Sequence, residues 1–112
     1  MAQNTTLILL PQTSYSGTGT VSGTKQPAAA YILGNQDLQT ISWSVTNFTG
    51  TITIKASLAT DPNVNDWFNV DVITGSSLTE ISYLNVVGNY VWIKADVSGF
   101  SQGIVNHVKV SY

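Results

Sequence analysis

The chain has no cysteine and no arginine, one histidine, and only four lysines against six acidic residues in 112. Without cysteine there is no disulfide framework, no thiolate metal ligand and no cysteine nucleophile. Nucleic-acid binders hold phosphate and guanine with clustered lysine and with bidentate arginine forks. A chain of net charge −2 without arginine offers neither, nor a basic membrane patch. The N-terminal apolar run, Leu7 to Leu10, is four residues long and follows no basic segment. A secretory signal or a membrane span of about 20 apolar residues needs far more. A chain made without the secretory route is therefore expected, with the sequons at Asn4 and Asn47 unused. Solubility rests instead on Ser, Thr, Asn and Gln, and the length is that of one domain spanning 1–112.

Apolar residues recur with period two, the signature of half-buried strands. In "ISWSVT" Ile41, Trp43 and Val45 share one face, and in "TITIKASLA" Ile52, Ile54, Ala56 and Leu58 do the same. "YVWIKADV" sets Val91, Ile93, Ala95 and Val97 opposite Tyr90, Trp92, Lys94 and Asp96, and the C-terminus alternates through Val108, Val110 and Tyr112. Shorter candidates are Thr6–Leu10, Ala29–Leu33, Asn69–Ile73 and Leu78–Asn85. Turn signals stand at Asn47–Gly50, Gly75–Ser77, Gly88-Asn89 and Ser98–Gly103. No three-and-four spacing persists for a dozen residues, so no substantial helix is expected. About eight short strands predict an all-β antiparallel sandwich, with jelly-roll and immunoglobulin-like topologies equally compatible. The tract "QTSYSGTGTVSGTKQ", Gln12 to Gln26, has almost nothing to bury and reads as an arm or loop that needs a surface to lie on, such as a neighbouring subunit.

Four chemical patterns need weighing. Asp61, Asn63 and Asn65 match the first three oxygen positions of an EF-hand calcium loop. Its glycine position is Asp66, however, and its bidentate glutamate position is Val72, so no metal site is assigned. Asp61-Pro62 starts a turn instead, Asn63, Asn65 and Asp66 can bond their own backbone, and Trp67 and Phe68 anchor the loop's return, with at least one of them expected buried. "SGTGTVSGTK" fails the phosphate-loop pattern, because three residues rather than four separate Gly19 from Gly23 and Thr24 precedes Lys25. His107 lies in a strand without a nucleophile motif, and the carboxylates of Asp61, Asp66, Asp71, Glu80 and Asp96 show no pairing that marks hydrolysis. No enzyme activity, catalytic residue or cofactor is assigned. The aromatics remain: Trp43 reads as core, whereas Trp92, beside Tyr90 and opposite the core residues, reads as a contact residue.

The segments Phe48–Val70 and Val86–Tyr112 resemble small virion structural proteins of tailed bacteriophages, of cyanophage type. The likeness is carried by Thr49–Ile52, Ala56-Ser57-Leu58, Pro62, Asp66-Trp67-Phe68, Gly88–Ile93, Phe100, Gly103 and Ile104, with Lys94 where the pattern has arginine. It implies a β-sandwich in a virion, as a capsid decoration or cement protein or a tail-associated one, that contacts its own copies and a capsid or tail protein. Tyr15, Tyr90 and Trp92 are the expected partner contacts. The alternative from another class is a carbohydrate- or receptor-binding module using the same exposed aromatics.

Overall fold

The computed structural model describes residues 6–17, 19–34 and 36–112, so the Asn4 sequon lies outside the described residues. Its strands are β1 (Thr6–Leu10), β2 (Thr13–Ser14), β3 (Val21–Ser22), β4 (Gln26–Pro27), β5 (Leu38–Ser57), β6 (Trp67–Val87) and β7 (Trp92–Ser111). A five-residue helix α1 (Ala29–Leu33) follows β4, and a 3-10 turn (Val64–Asp66) precedes β6. All seven strands form one antiparallel sheet in the order β1-β7-β5-β6, with β2, β3 and β4 also on β7.

The expected short strands are thus joined in pairs. "ISWSVT" and "TITIKASLA" as far as Ser57 lie in β5, Asn69–Ile73 and Leu78–Asn85 both lie in β6, and the last two alternating stretches lie in β7 from Trp92 to Ser111. The turn signals at Asn47–Gly50, Gly75–Ser77 and Ser98–Gly103 are bends inside continuous ladders. Only Gly88-Asn89 is a connection between strands. A straight strand of 20 residues would span roughly 66 Å at about 3.3 Å per residue, but the longest dimension is 40 Å. The strands therefore have to bend, and they do so at one level. There Val45 to Gly50 meets Gly75 to Leu78 on one side and Ser98 to Gln102 on the other, with the register slipping on both sides.

The N-terminal segment follows the same path. Thr6 pairs with Ser111, Leu10 with Val108, Thr13 with Val105, Val21 with Val97 and Pro27 with Trp92. From Thr6 to Pro27 the chain runs antiparallel along the whole of β7, in nearly constant register, as one interrupted strand. The Gly/Ser/Thr tract therefore lies on the backbone edge of β7, held by bonds such as Tyr15 N to Gly103 O and Gly23 N to Ala95 O, each 2.9 Å. Four ribbons, each bent in the middle, build a sheet folded onto itself. Strands that pass between layers through bulges make the corners of such sandwiches.

The inner faces of both halves share one core. Ile41, Val45, Ile52, Ile54, Ile93, Ala95, Val97, Val105, Val108 and Val110 are all buried, and Trp43 and Tyr112 nearly so. At the corner the rings of Phe48 and Phe100 meet at 5.4 Å between centroids, and Tyr15 lies 5.5 Å beyond Phe100. Gln102 Nε2 reaches Asn47 Oδ1 at 3.1 Å and Ser77 Oγ at 3.0 Å, which laces β5, β6 and β7 together at the bend. In the upper half Asn106 is the extra residue of a bulge, since Ser44 pairs with His107 and Val45 with Val105.

Ala29–Leu33 is helical, where the alternation predicts a strand. Its apolar run is too short for periodicity to decide. Two alanines at its start favour helix, and Gly34 in the left-handed region closes it, its N–H reaching Ala30 O at 3.0 Å. Buried Gln39 fixes its position by accepting from Ala29 N and donating to Val86 O, both at 3.0 Å.

Gly103 tests the corner. Its φ is +90°, and a Cβ there would fall on the carbonyl oxygen of Asn47. Gly17 has a similar φ of +92° but open space around it. Gly17→Ala is expected to cost about 1–2 kcal/mol from backbone strain alone. Gly103→Ala must also push two strands apart and is expected to cost about 3 kcal/mol or more, read as the difference in urea midpoints. Equal losses would show that the close approach at the corner carries no weight.

Candidate functional site

Folding the sheet leaves two outward faces and, among the described residues, two unpaired edges, the N-terminal ribbon and β6. On the face formed by the lower halves of β5, β6 and β7, Ser57 pairs with Trp67 on one side and Trp92 on the other. The two tryptophans stand level, two strand spacings or about 9–10 Å apart, across a small buried serine. Each is half-buried, and each carries a lysine. Lys25 Nζ lies 4.8 Å from the Trp92 ring centroid and Lys94 Nζ lies 4.9 Å from that of Trp67. Trp92 Nε1 donates to Thr60 O at 2.9 Å, which ties the loop before the 3-10 turn to the face. Tyr31, set on α1, packs its ring 5.7 Å from Trp92.

Next along the strands, Lys55 pairs directly with Lys94. Like charges opposite one another destabilise a sheet, and Asp96 relieves the clash. Its Oδ2 lies 3.2 Å from Lys55 Nζ and 3.4 Å from Lys94 Nζ, while Oδ1 accepts from Ser22 Oγ at 3.0 Å and Gly23 N at 3.2 Å. Burial by itself raises the Asp96 carboxyl. The bond from Lys55, the charge of Lys94 and the Ser22 hydroxyl outweigh it and hold the group below the ordinary aspartate value.

The opposite face belongs to the upper halves. Leu38 pairs with Val87, Thr40 with Asn85, Ser42 with Tyr83 and Ser44 with Ile81. Ile81 is 81% exposed, Tyr83 65% and Val87 63%. Beside Ile81 runs a shallow groove of about 460 Å³ lined by Ser44, Thr46, Thr79 and Asn106 among others. Asn106 Nδ2 spans two of these, reaching Ser44 Oγ at 3.1 Å and Thr46 Oγ1 at 3.0 Å. His107 stands across from Ser44, its imidazole pushed below the ordinary value by burial and then by Lys109. Glu80 turns inward and accepts from Trp43 Nε1 at 2.9 Å. Among the described residues β6 pairs only with β5, so its other side is an unpaired edge 21 residues long.

Four of the residues singled out from the sequence gather at one end. Trp67 and Trp92 flank Ser57, and Phe68 meets Tyr90 with ring centroids 5.7 Å apart. Tyr90 folds back against Gly88, where a side chain would fall within its ring, and it packs on the core. Neither Trp67 nor Phe68 is fully buried: Trp67 is half-buried and Phe68 is 40% exposed, because both begin an edge strand with no neighbour to cover them. Tyr15 sits apart at the corner, 43% exposed. In the acidic loop, Asp66 Oδ2 accepts from Asn63 N at 2.6 Å. Among the described residues, no three His, Asp or Glu side chains gather as metal ligands would. Sequence reasoning missed Tyr31, Lys25 and Lys94 as partners of the tryptophans, and the outward row of Ile81, Tyr83 and Val87.

Fold and surface together define a small all-β, sandwich-like protein with aromatic and apolar side chains on its outward faces. No family model matches the chain, and no curated protein sequence matches it. Solved structures do match it. The SPBc2 prophage-derived protein YomS superposes with a TM-score of 0.60 at 12% identity, over 97% of this chain and 91% of that one. A family 29 carbohydrate binding module from Piromyces equi gives 0.50 at 10% identity, over 97% and 91%. At these identities the likeness is one of fold.

The Asp96 hub makes a pH prediction. Because the folded-state pKa lies below the unfolded one, the hub's contribution is fully present above pH of about 4. It is lost as the pH falls through the lower, folded-state value. Urea midpoints measured between neutral and acidic pH are expected to fall in that window, and the fall should be shallower in Asp96→Asn. An identical slope in the variant would remove Asp96 as the source.

Proposed function

We propose that the chain is a non-enzymatic structural component of a phage virion, a capsid decoration or tail-associated protein that works through protein–protein contacts with its own copies and a capsid or tail protein. One observation carries the reading. β6 is a 21-residue edge strand that presents Ile81, Tyr83 and Val87 to solvent and contains neither lysine nor proline. Edge strands of monomeric proteins are usually short, bulged, or defended by such residues. Although β6 bulges at the corner and at Val70, its stretch from Glu80 to Val87 pairs in unbroken register. The acidic groups of β6 defend it poorly, since Glu80 is turned inward to Trp43 and Asp71 Oδ1 is engaged by Val72 N at 2.8 Å. An apolar row on an unpaired edge suits burial against another chain, by strand addition or face-to-face packing. The resemblance of Phe48–Val70 and Val86–Tyr112 to virion proteins supports the setting, and the shared fold of a prophage-derived protein accords with it.

Native mass in solution tests this. A discrete oligomer of the 12.0 kDa chain is expected, and Ile81→Lys combined with Tyr83→Lys should reduce it to the monomer while the circular dichroism of the sheet is kept. A wild-type monomer at micromolar concentration, or an oligomer indifferent to the double substitution, would refute contact through this face.

A further inference from the structure

We propose that the face between Trp67 and Trp92 binds an anionic polysaccharide. This goes beyond self-assembly, because it concerns the opposite face and needs only the monomer. Two indoles stand level on either side of Ser57, and their backbone positions, about 9–10 Å apart, match alternate rings in an extended 1,4-linked sugar chain. Ser57 between them is fully buried, so an intervening ring would pass over it without touching it. Indoles stack on the C–H faces of pyranose rings while hydroxyls and charges are met at the ring edge.

The charge is distributed to match. Of the four lysines in a chain of net charge −2, Lys25, Lys55 and Lys94 all belong to this face. Asp96 is shared by two of them, whereas Lys25, over Trp92, makes no ion pair among the described residues. Asp61 and Asp66 stand in the loop at its end, with the Asp66 carboxylate turned to Asn63 N. Lys25 and Lys94 already sit beside the two indole rings, so a uronate stacked on either ring would bring its carboxylate next to an ammonium.

Single-stranded nucleic acid also combines aromatic stacking with positive charge. The sugar polymer fits better, because the chain has no arginine, the side chain that single-strand binders set against both phosphates and bases.

The test is electrophoretic retardation of the purified chain in gels containing polygalacturonate, neutral dextran or oligothymidylate, at low and at raised salt. Retardation by polygalacturonate is expected, weakened by salt and by Lys25→Gln. Trp92→Ala and Trp67→Ala should each weaken it by about tenfold, with circular dichroism confirming the fold. Lys25 is exposed and lies outside the core, so its variant tests the site even if a tryptophan variant unfolds. Four outcomes would each overturn the proposal: no retardation by polygalacturonate, equal retardation by dextran, stronger retardation by oligothymidylate, or retardation by polygalacturonate unchanged in every folded variant.

Discussion

The structure depends on a single bend made at the same level by every long strand. The bend works only because backbones can touch there. At Gly103 the chain of β7 passes against the carbonyl of Asn47 with no room for a side chain, and Phe48 and Phe100 fill the space beneath. Left-handed residues collect at this level, with Asn47 and Ser77 beside Gly17, Gly99 and Gly103. Straightening it would separate Ile41 and Val45 from Ile52 and Ile54 and open the core. A flat four-ribbon sheet of this composition would leave one apolar face in water, so burial on the two inner faces is what drives the fold closed.

The bend also decides what the surface can offer. Folding the ribbons sends their outward residues in opposite directions, so lower and upper halves face different surroundings. The lower face collects lysines around Asp96 and the two tryptophans, while the upper face presents Ile81, Tyr83 and Val87. The Lys55–Lys94 pairing is an unfavourable element that the sheet register imposes, and it stands only because one carboxylate answers both charges. The local order of the lower face thus rests on Asp96.

Much of the core was legible in the sequence. The alternation through Ile41, Trp43 and Val45, through Ile52, Ile54 and Ala56, and through Ile93, Ala95 and Val97 names residues that are all buried. The turn signals were legible as places but not as structures. Glycine and asparagine report that the backbone departs from a straight strand, whereas only the register of a neighbouring strand shows whether the ladder continues across the departure. The pairing of residues 12–26 with β7 left no side-chain signal, because that edge is held by backbone hydrogen bonds to which composition is nearly blind. Leu58, in phase with Ile52 and Ile54, is 63% exposed because β5 ends one residue before it. The relation of Trp67 to Trp92 was hidden for a different reason. It exists only through Ser57, their common neighbour in the ladder, and no spacing along the chain encodes a shared partner.

The two outward surfaces are compatible with one another. A contact made through Ile81, Tyr83 and the upper part of β6 covers the upper face and leaves the Trp67–Trp92 face pointing away from the partner. The lower part of β6 begins at Trp67 itself, however, so strand addition along its whole length would bring a second chain beside that indole. Occupation of the lower edge and of the tryptophan face are therefore coupled through Trp67, whereas packing against the upper face is not. A subunit held by its upper face would display the aromatic face outward in as many copies as the assembly contains. Multiple weak contacts to a polymer then add through effective concentration, and a shallow open face with modest affinity per copy is sufficient.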